Sequence, residues 1–303
     1  MNDVLLRASS FILALAAGIA VRGFRLIDER GAAALKQILF YVTLPAVIVS
    51  NFSKVPSLSS SLLTLCLMGI GTNLCMLCAG MLMTRRRPDA DRALAMFCLP
   101  AYNIGAFCLP FVQSFLPPLG SVAVCMFDIG NSIMCTGGSY AIAGAYLKGE
   151  RAGAAGFARR LLNSPCILVY LLMLCLSFAG LRLPDAVLTL VAPMADANAF
   201  IAMFYLGLMF HLELKREYLG AIFALVAARH LFAAACAVTV YFLLPYELAV
   251  RSALVFVLLS PMSAIAPAYV QMCGGDAGKA SAANSVTILC SLAELTALMP
   301  VLA

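Results

Sequence analysis

Five ionisable side chains lie deep inside apolar runs of this chain, away from their ends: Asp128, Asp196, Arg229, His230 and Glu294. Each is costly in a non-polar medium unless it faces a water-filled cavity or a partner. The chemistry open to them follows from their types. A carboxylate removed from water holds its proton more tightly, so Asp128, Asp196 or Glu294 could carry a coupling proton. The same carboxylates could ligate sodium together with asparagine side chains and backbone carbonyls. Arg229 is the one deep residue with a permanent positive charge. It either attracts an organic anion or pairs with Asp196 or Glu294. The sequence shows no Gly-x-Ser-x-Gly, no His-Glu-x-x-His and no paired aspartates at catalytic spacing. The two histidines, His211 and His230, fall in no metal-ligand spacing. The chain therefore reads as a non-enzyme without metal or organic cofactor, and the only small ion implied is a coupling H+ or Na+.

These groups need elements to hold them. Hydrophobic residues make up 63% of the 303 residues and charged ones 11%, with a mean hydropathy of +0.99. Soluble domains carry about 25% charged residues. A membrane-spanning helix needs about 20 apolar residues, and such runs fall at 4–21, 32–53, 60–83, 93–116, 119–147, 163–181, 186–210, 219–244, 248–272 and 277–303. No room is left for a soluble domain. The first run is read as a span rather than a signal peptide, because its removal would leave an odd set of runs and spoil the repeat described next. The twelve cysteines lie in apolar runs or, for Cys273, directly after one, Cys75 and Cys78 as a Cys-x-x-Cys, and read as small packing residues.

The chain looks duplicated. RALAMFCLPAYNIGAFCLPFVQ at 92–113 parallels RSALVFVLLSPMSAIAPAYVQ at 251–271, each with arginine first, two prolines and a closing Val-Gln. Asn131-Ser132 and Asn284-Ser285 then follow on the next runs. Five spans is an odd number, so the second copy must enter the membrane inverted. Inverted repeats mark secondary transporters, whose sites sit where discontinuous helices meet near the midplane. Proline removes a backbone donor and breaks helix, and unwound backbone is tolerated in a bilayer only where it lines a cavity or is buried in protein. Two proline pairs, Pro100 with Pro110 and Pro261 with Pro267, mark the two breaks, with Gly105 inside the first. Tyr102, Asn103, Gln113, Asn131, Gln271 and Asn284 supply neutral hydrogen bonds around them. Two polar stripes support a shared cavity: Asp128 with Asn131 on the fifth run, and Asn284, Thr287, Ser291 and Glu294 on the tenth. Asp128 and Glu294 are the leading coupling candidates.

The expected fold is an all-α polytopic membrane protein of ten transmembrane helices, an inverted five-plus-five repeat with crossing broken helices. Residues 1–147 form the first repeat, 148–162 a cytoplasmic linker and 163–303 the second repeat. Fifteen basic residues fall in loops after odd-numbered runs, among them Arg22, Arg25, Arg85–Arg87, Arg151 and Arg160. Four (Arg7, Lys54, Arg182 and Arg251) fall on the other side. The positive-inside rule then puts both termini outside. The net charge of +6 is dispersed over loops, so no nucleic-acid partner is implied; the partners are the lipid bilayer and a small solute. A homodimer stays open, since the Gly149 to Gly153 spacing falls in a loop and gives no packing motif.

The stretches FYVTLP at 40–45, NIGAFCLP at 103–110, FDIGNS at 127–132, NSP at 163–165 and FYLGL at 204–208 resemble the auxin efflux carrier family, which includes bacterial malonate-type transporters. They are short, and their order and spacing cover the whole chain. The resemblance implies a scaffold half and a transport half working by elevator-like alternating access, in a bacterial inner membrane, on a mono- or dicarboxylate. It implies that Asn103 and Pro110 lie on the first crossover and Pro267 on the second. The long central loop of the plant members is here the short KGERAGAAGFARRLLNS. The rival expectations are a sodium-coupled symporter of the bile-acid type, an intramembrane enzyme and a passive channel.

Overall fold

A backbone in lipid can hide its N–H and C=O groups only by pairing them within the segment, and the apolar runs accordingly fold as helices. The structure, a computed structural model, describes residues 2–55, 59–149, 154–213 and 215–302. The first half comprises α1 (Asn2–Gly23), α2 (Glu29–Ser53), α3 (Ser60–Met83), α4 (Asp89–Cys98), α5 (Ile104–Phe115) and α6 (Pro118–Lys148). The second comprises α7 (Ala154–Leu162), α8 (Pro165–Phe178), α9 (Asp185–Met209), α10 (Arg216–Leu243), α11 (Leu248–Leu258), α12 (Ala266–Met272) and α13 (Ala277–Leu302). Six of these, α2, α3, α6, α9, α10 and α13, are long and apolar enough to cross a membrane. Shorter apolar helices lie at Ala8–Gly23, α5, α8 and α11. The stretch expected as a linker is helical from Ala154. Arg151 and Gly153 lie outside the described residues, as do the side chains of Arg7 and Arg160.

Two helix groups stand out by the packing within each, and they touch along a shared boundary. In one, α1 runs along α9, and α2 lies against α8 and α9. In the other, α3 runs along α6, α10 lies on α11 and α13, α11 on α6, and α12 on α4 and α13. Each group has a crossing where the backbones of two helices come closest. A Cβ on Gly18 would strike the Phe204 carbonyl and one on Gly207 the Leu15 carbonyl, which fixes α1 on α9. A Cβ on Gly69 would strike the Phe127 carbonyl and one on Gly130 the Cys66 carbonyl, which fixes α3 on α6. Glycine at both partners is what lets the axes come this close. The most enclosed part of the molecule is α4, α5, the first half of α6, and α11.

Proline shapes two helices without ending them. A π turn at Leu39–Thr43 precedes Pro45 in α2, and another at Ile104–Cys108 precedes Pro110 in α5. A proline clashes with the carbonyl four residues back, and a wider i→i+5 turn makes room for the ring. Pro110 is thus inside a continuous helix rather than at a break, which corrects the expectation that it helps unwind the chain. The break is at Leu99–Asn103, between α4 and α5, and contains Pro100. A second break, residues 259–265 between α11 and α12, contains Pro261. The breaks cross: Tyr102 and Met262 form an isolated antiparallel bridge, and Asn103 N donates to Pro261 O at 2.9 Å.

Candidate functional site

The crossing of the two breaks raises an accounting question, since every buried backbone group there needs a partner that helix no longer provides. Side chains provide it. Ala101 takes a left-handed conformation, φ 65°, and its N–H points to Asn73 Oδ1 at 2.6 Å. Tyr102 N donates to Asn131 Oδ1 at 3.0 Å, and Asn131 Nδ2 donates back to Tyr102 O at 3.1 Å. One amide thus replaces both helical bonds of one residue. The same Nδ2 donates to Asp128 Oδ1 at 2.9 Å, and Tyr170 of α8 donates to Asp128 Oδ2 at 2.9 Å. In the second break, Met262 N donates to Thr287 Oγ1 at 3.4 Å. Asp128 and Asn131 share a face of α6 as the sequence spacing predicts, because residues three apart are neighbours on a helix.

The ends of the broken helices carry opposite partial charges. The first turn of α5 leaves its N–H groups without intrahelical partners. Asn103 immediately precedes that turn. Its side chain is 7% exposed, and its Nδ2 has no hydrogen-bond partner. A buried amide donor without an acceptor is a costly arrangement. It borders a crevice of about 250 Å³, at the small end for ligand pockets. Tyr102, Gly105, Asp128, Asn131 and Ser263 line one wall, and Lys36, Phe40, Cys166 and Tyr205 line the other. The first wall belongs to the α3–α6 group and its partners, the second to the α1, α2, α8 and α9 group. The crevice therefore lies on the boundary between the two groups. Lys36 and Tyr205 also line an adjoining cavity of about 720 Å³ that carries Arg22 and Arg25.

The opposite, C-terminal ends of α4 and α11 meet Arg229, which is 1% exposed in the middle of α10. Its Nη1 donates to Leu99 O and, at 3.4 Å, to Pro100 O; its Nη2 donates to Ser260 O at 3.1 Å. The Tyr102 ring lies 5.0 Å from its Cζ. Of the two roles open to Arg229, pairing with Asp196 or Glu294 is not what the structure shows. Asp196 stands on the exposed face of α9, and Glu294 pairs with His230 Nδ1 at 2.9 Å. Arg229 is satisfied by backbone instead.

Of the sequence-predicted residues, the crevice brings together Tyr102, Asn103, Gly105, Asp128 and Asn131. Pro110 is buried inside α5, and Gln113 donates to Asn51 Oδ1 at 3.1 Å. Pro267 lies in the first turn of α12, Gln271 is exposed near its end, and Asn284 is buried on α13 with Oδ1 unpartnered. None of these five, nor Asp196, Arg229 or Glu294, lines the crevice. Sequence reading missed Asn73, Tyr170 and Lys36 as parts of the site. Asn73 had a usable signal: it is the single amide side chain in α3.

No protein-family model and no curated protein matches this chain.

Proposed function

We propose that this protein is a secondary carrier of small organic anions, of the auxin efflux carrier kind. The unpartnered Asn103 amide at the start of α5 is the observation that carries the reading. An anion seated there meets a free amide donor, the N–H groups and positive dipole end of α5, and Lys36 across the crevice. In this reading the six long and four shorter apolar helices make ten crossings as an inverted pair of five. The membrane is a bacterial inner membrane, and both termini face out. The helix group holding the crossover moves against the group of α1, α2, α8 and α9, and access alternates across the boundary crevice. Asp128 is the coupling carboxylate, because Tyr170 reaches it across that same boundary and motion would break their bond.

The test is the melting temperature of the detergent-purified protein against a panel of mono- and dicarboxylates. A ligand at a hundredfold excess over its dissociation constant adds about 2.7 kcal/mol of stability. At least one acid should stabilise the wild type and not Asn103→Ala. A panel in which no acid shifts the wild type, or in which Asn103→Ala responds equally, overturns the reading.

A further inference from the structure

Broken helices confront each other with four charged ends. The starts of α5 and α12 are positive, and the ends of α4 and α11 are negative. In transporters with unwound helices, the carbonyls at such negative ends commonly hold a sodium ion. Here those carbonyls are already taken. Leu99 O and Pro100 O from the first break and Ser260 O from the second all accept from one guanidinium. The Tyr102 ring adds a face for the cation. The guanidinium reaches this point from α10, a helix that belongs to neither break.

We propose that Arg229 is a resident counter-ion, its guanidinium filling the place a metal cation would take between the broken helices, so that the crossover binds no alkali-metal ion. The consequence for selectivity is direct. With both negative ends neutralised by a charge that cannot dissociate, the crossover is left with its positive helix starts. Its free positive end, at α5, then favours an anion. Arg229 is thereby a positioning and specificity residue rather than a contact of the transported solute. The inference draws on the carrier reading for its meaning in transport, but its test does not need a substrate.

The experiment measures the melting temperature of purified wild type, Arg229→Lys and Arg229→Ala in choline chloride, with sodium chloride replacing choline at fixed ionic strength. The wild type should show no sodium-specific shift. Arg229→Ala should melt lower. Guanidinium at low millimolar concentration should restore most of that loss while leaving the wild type unmoved, and sodium should restore part of it. Arg229→Lys should fall between, since an ammonium keeps the charge but loses the planar fork that reaches both breaks at once. A sodium-specific rise in the wild type overturns the proposal. So does an Arg229→Ala deficit that neither cation touches, because a purely packing role for the side chain predicts that result. If Arg229→Ala does not fold, the wild-type sodium titration and a guanidinium-insensitive, sodium-insensitive Arg229→Lys decide in the same way. Failure of every organic acid in the earlier panel would refute the carrier reading and leave this outcome unaffected.

Discussion

Asn131→Ala offers a direct test of how the crossover is held. Beside a weaker thiol contact from Cys135 Sγ at 3.5 Å, four bonds between nitrogen and oxygen end on the Asn131 amide: from Asn73 Nδ2 at 3.3 Å, from Tyr102 N at 3.0 Å, to Tyr102 O at 3.1 Å and to Asp128 Oδ1 at 2.9 Å. Side-chain hydrogen bonds within membranes average about 0.6 kcal/mol each, so the four together give about 2 kcal/mol. That average understates this site, because two of the four partners are the N–H and C=O of Tyr102, 2% exposed and outside any helix. A buried group left without a partner costs about 1–3 kcal/mol. We therefore expect Asn131→Ala to lose about 2–4 kcal/mol, and Asn131→Asp to lose more. Aspartate keeps an acceptor for Tyr102 N but faces both Tyr102 O and Asp128 with another oxygen. Thr287→Ala removes the 3.4 Å bond accepted from Met262 N and a 2.8 Å bond donated to the Asn284 carbonyl, which the turn of α13 keeps in its own helix; it should lose about 1 kcal/mol or less. Unfolding by dodecyl sulfate in mixed micelles, followed by circular dichroism, measures all three. An Asn131→Ala protein within about 0.5 kcal/mol of wild type, or a Thr287→Ala loss of the same size, would refute the view that Asn131 replaces helical pairing at Tyr102.

Three further outcomes are expected. Gly69→Ala should lower stability by about 1–3 kcal/mol, because its Cβ meets the Phe127 carbonyl; Gly71→Ala, two residues on in the same helix with open space at its Cβ, should match or exceed wild type in the same melt. Ala101→Val should destabilise and Ala101→Gly should not, since a β-branched residue at φ 65° is strained and glycine is at ease there; thermal melts of the pair separate this from a simple volume effect. The Tyr218 hydroxyl donating at 2.7 Å, then the Lys279 N–H, hold the Asp276 carboxyl below its ordinary value in the loop before α13. The stabilisation this gives is present above the ordinary carboxylate value of about 3.9 and is lost as pH falls through the lower folded value. Tyr218→Phe should therefore melt lower than wild type at neutral pH, with the difference closing in strong acid.

Much of this architecture is legible in the sequence because a bilayer leaves few choices. Apolar runs of sufficient length must be helices, and a polar residue inside one must find a partner. That is why Asn103, Asp128 and Asn131 stand out and reach the crevice. The positions read from the matching of the two halves fared differently. Gln113 and Gln271 each close a matched Val-Gln stretch of sequence, yet one bonds Asn51 and the other is exposed. A repeat match fixes where a residue is along a helix and says nothing of what the facing helix offers. Pro110 shows the same limit, because a proline signals missing pairing but a π turn can absorb it in place. The break is instead set where Pro100 coincides with Asn73 and Asn131, residues from two other helices that no local pattern joins. Asp196 was misjudged for a plainer reason: one charged residue has no periodicity, so its face on α9 could not be read.

The bridge between Tyr102 and Met262 bears on how this molecule would exchange its amide hydrogens. Slow exchange is usually read as a property of regular helices, and irregular segments are expected to open first. Here four amides of the irregular segments have their own partners: Ala101 with Asn73, Tyr102 with Asn131, Asn103 with Pro261, and Met262 with Thr287. To expose any of them, a side chain from a neighbouring helix or the opposite break must be pulled away first. The coil at the centre is thus the slow-exchanging heart of the protein, and its deuterium uptake should lag behind that of the helices it interrupts.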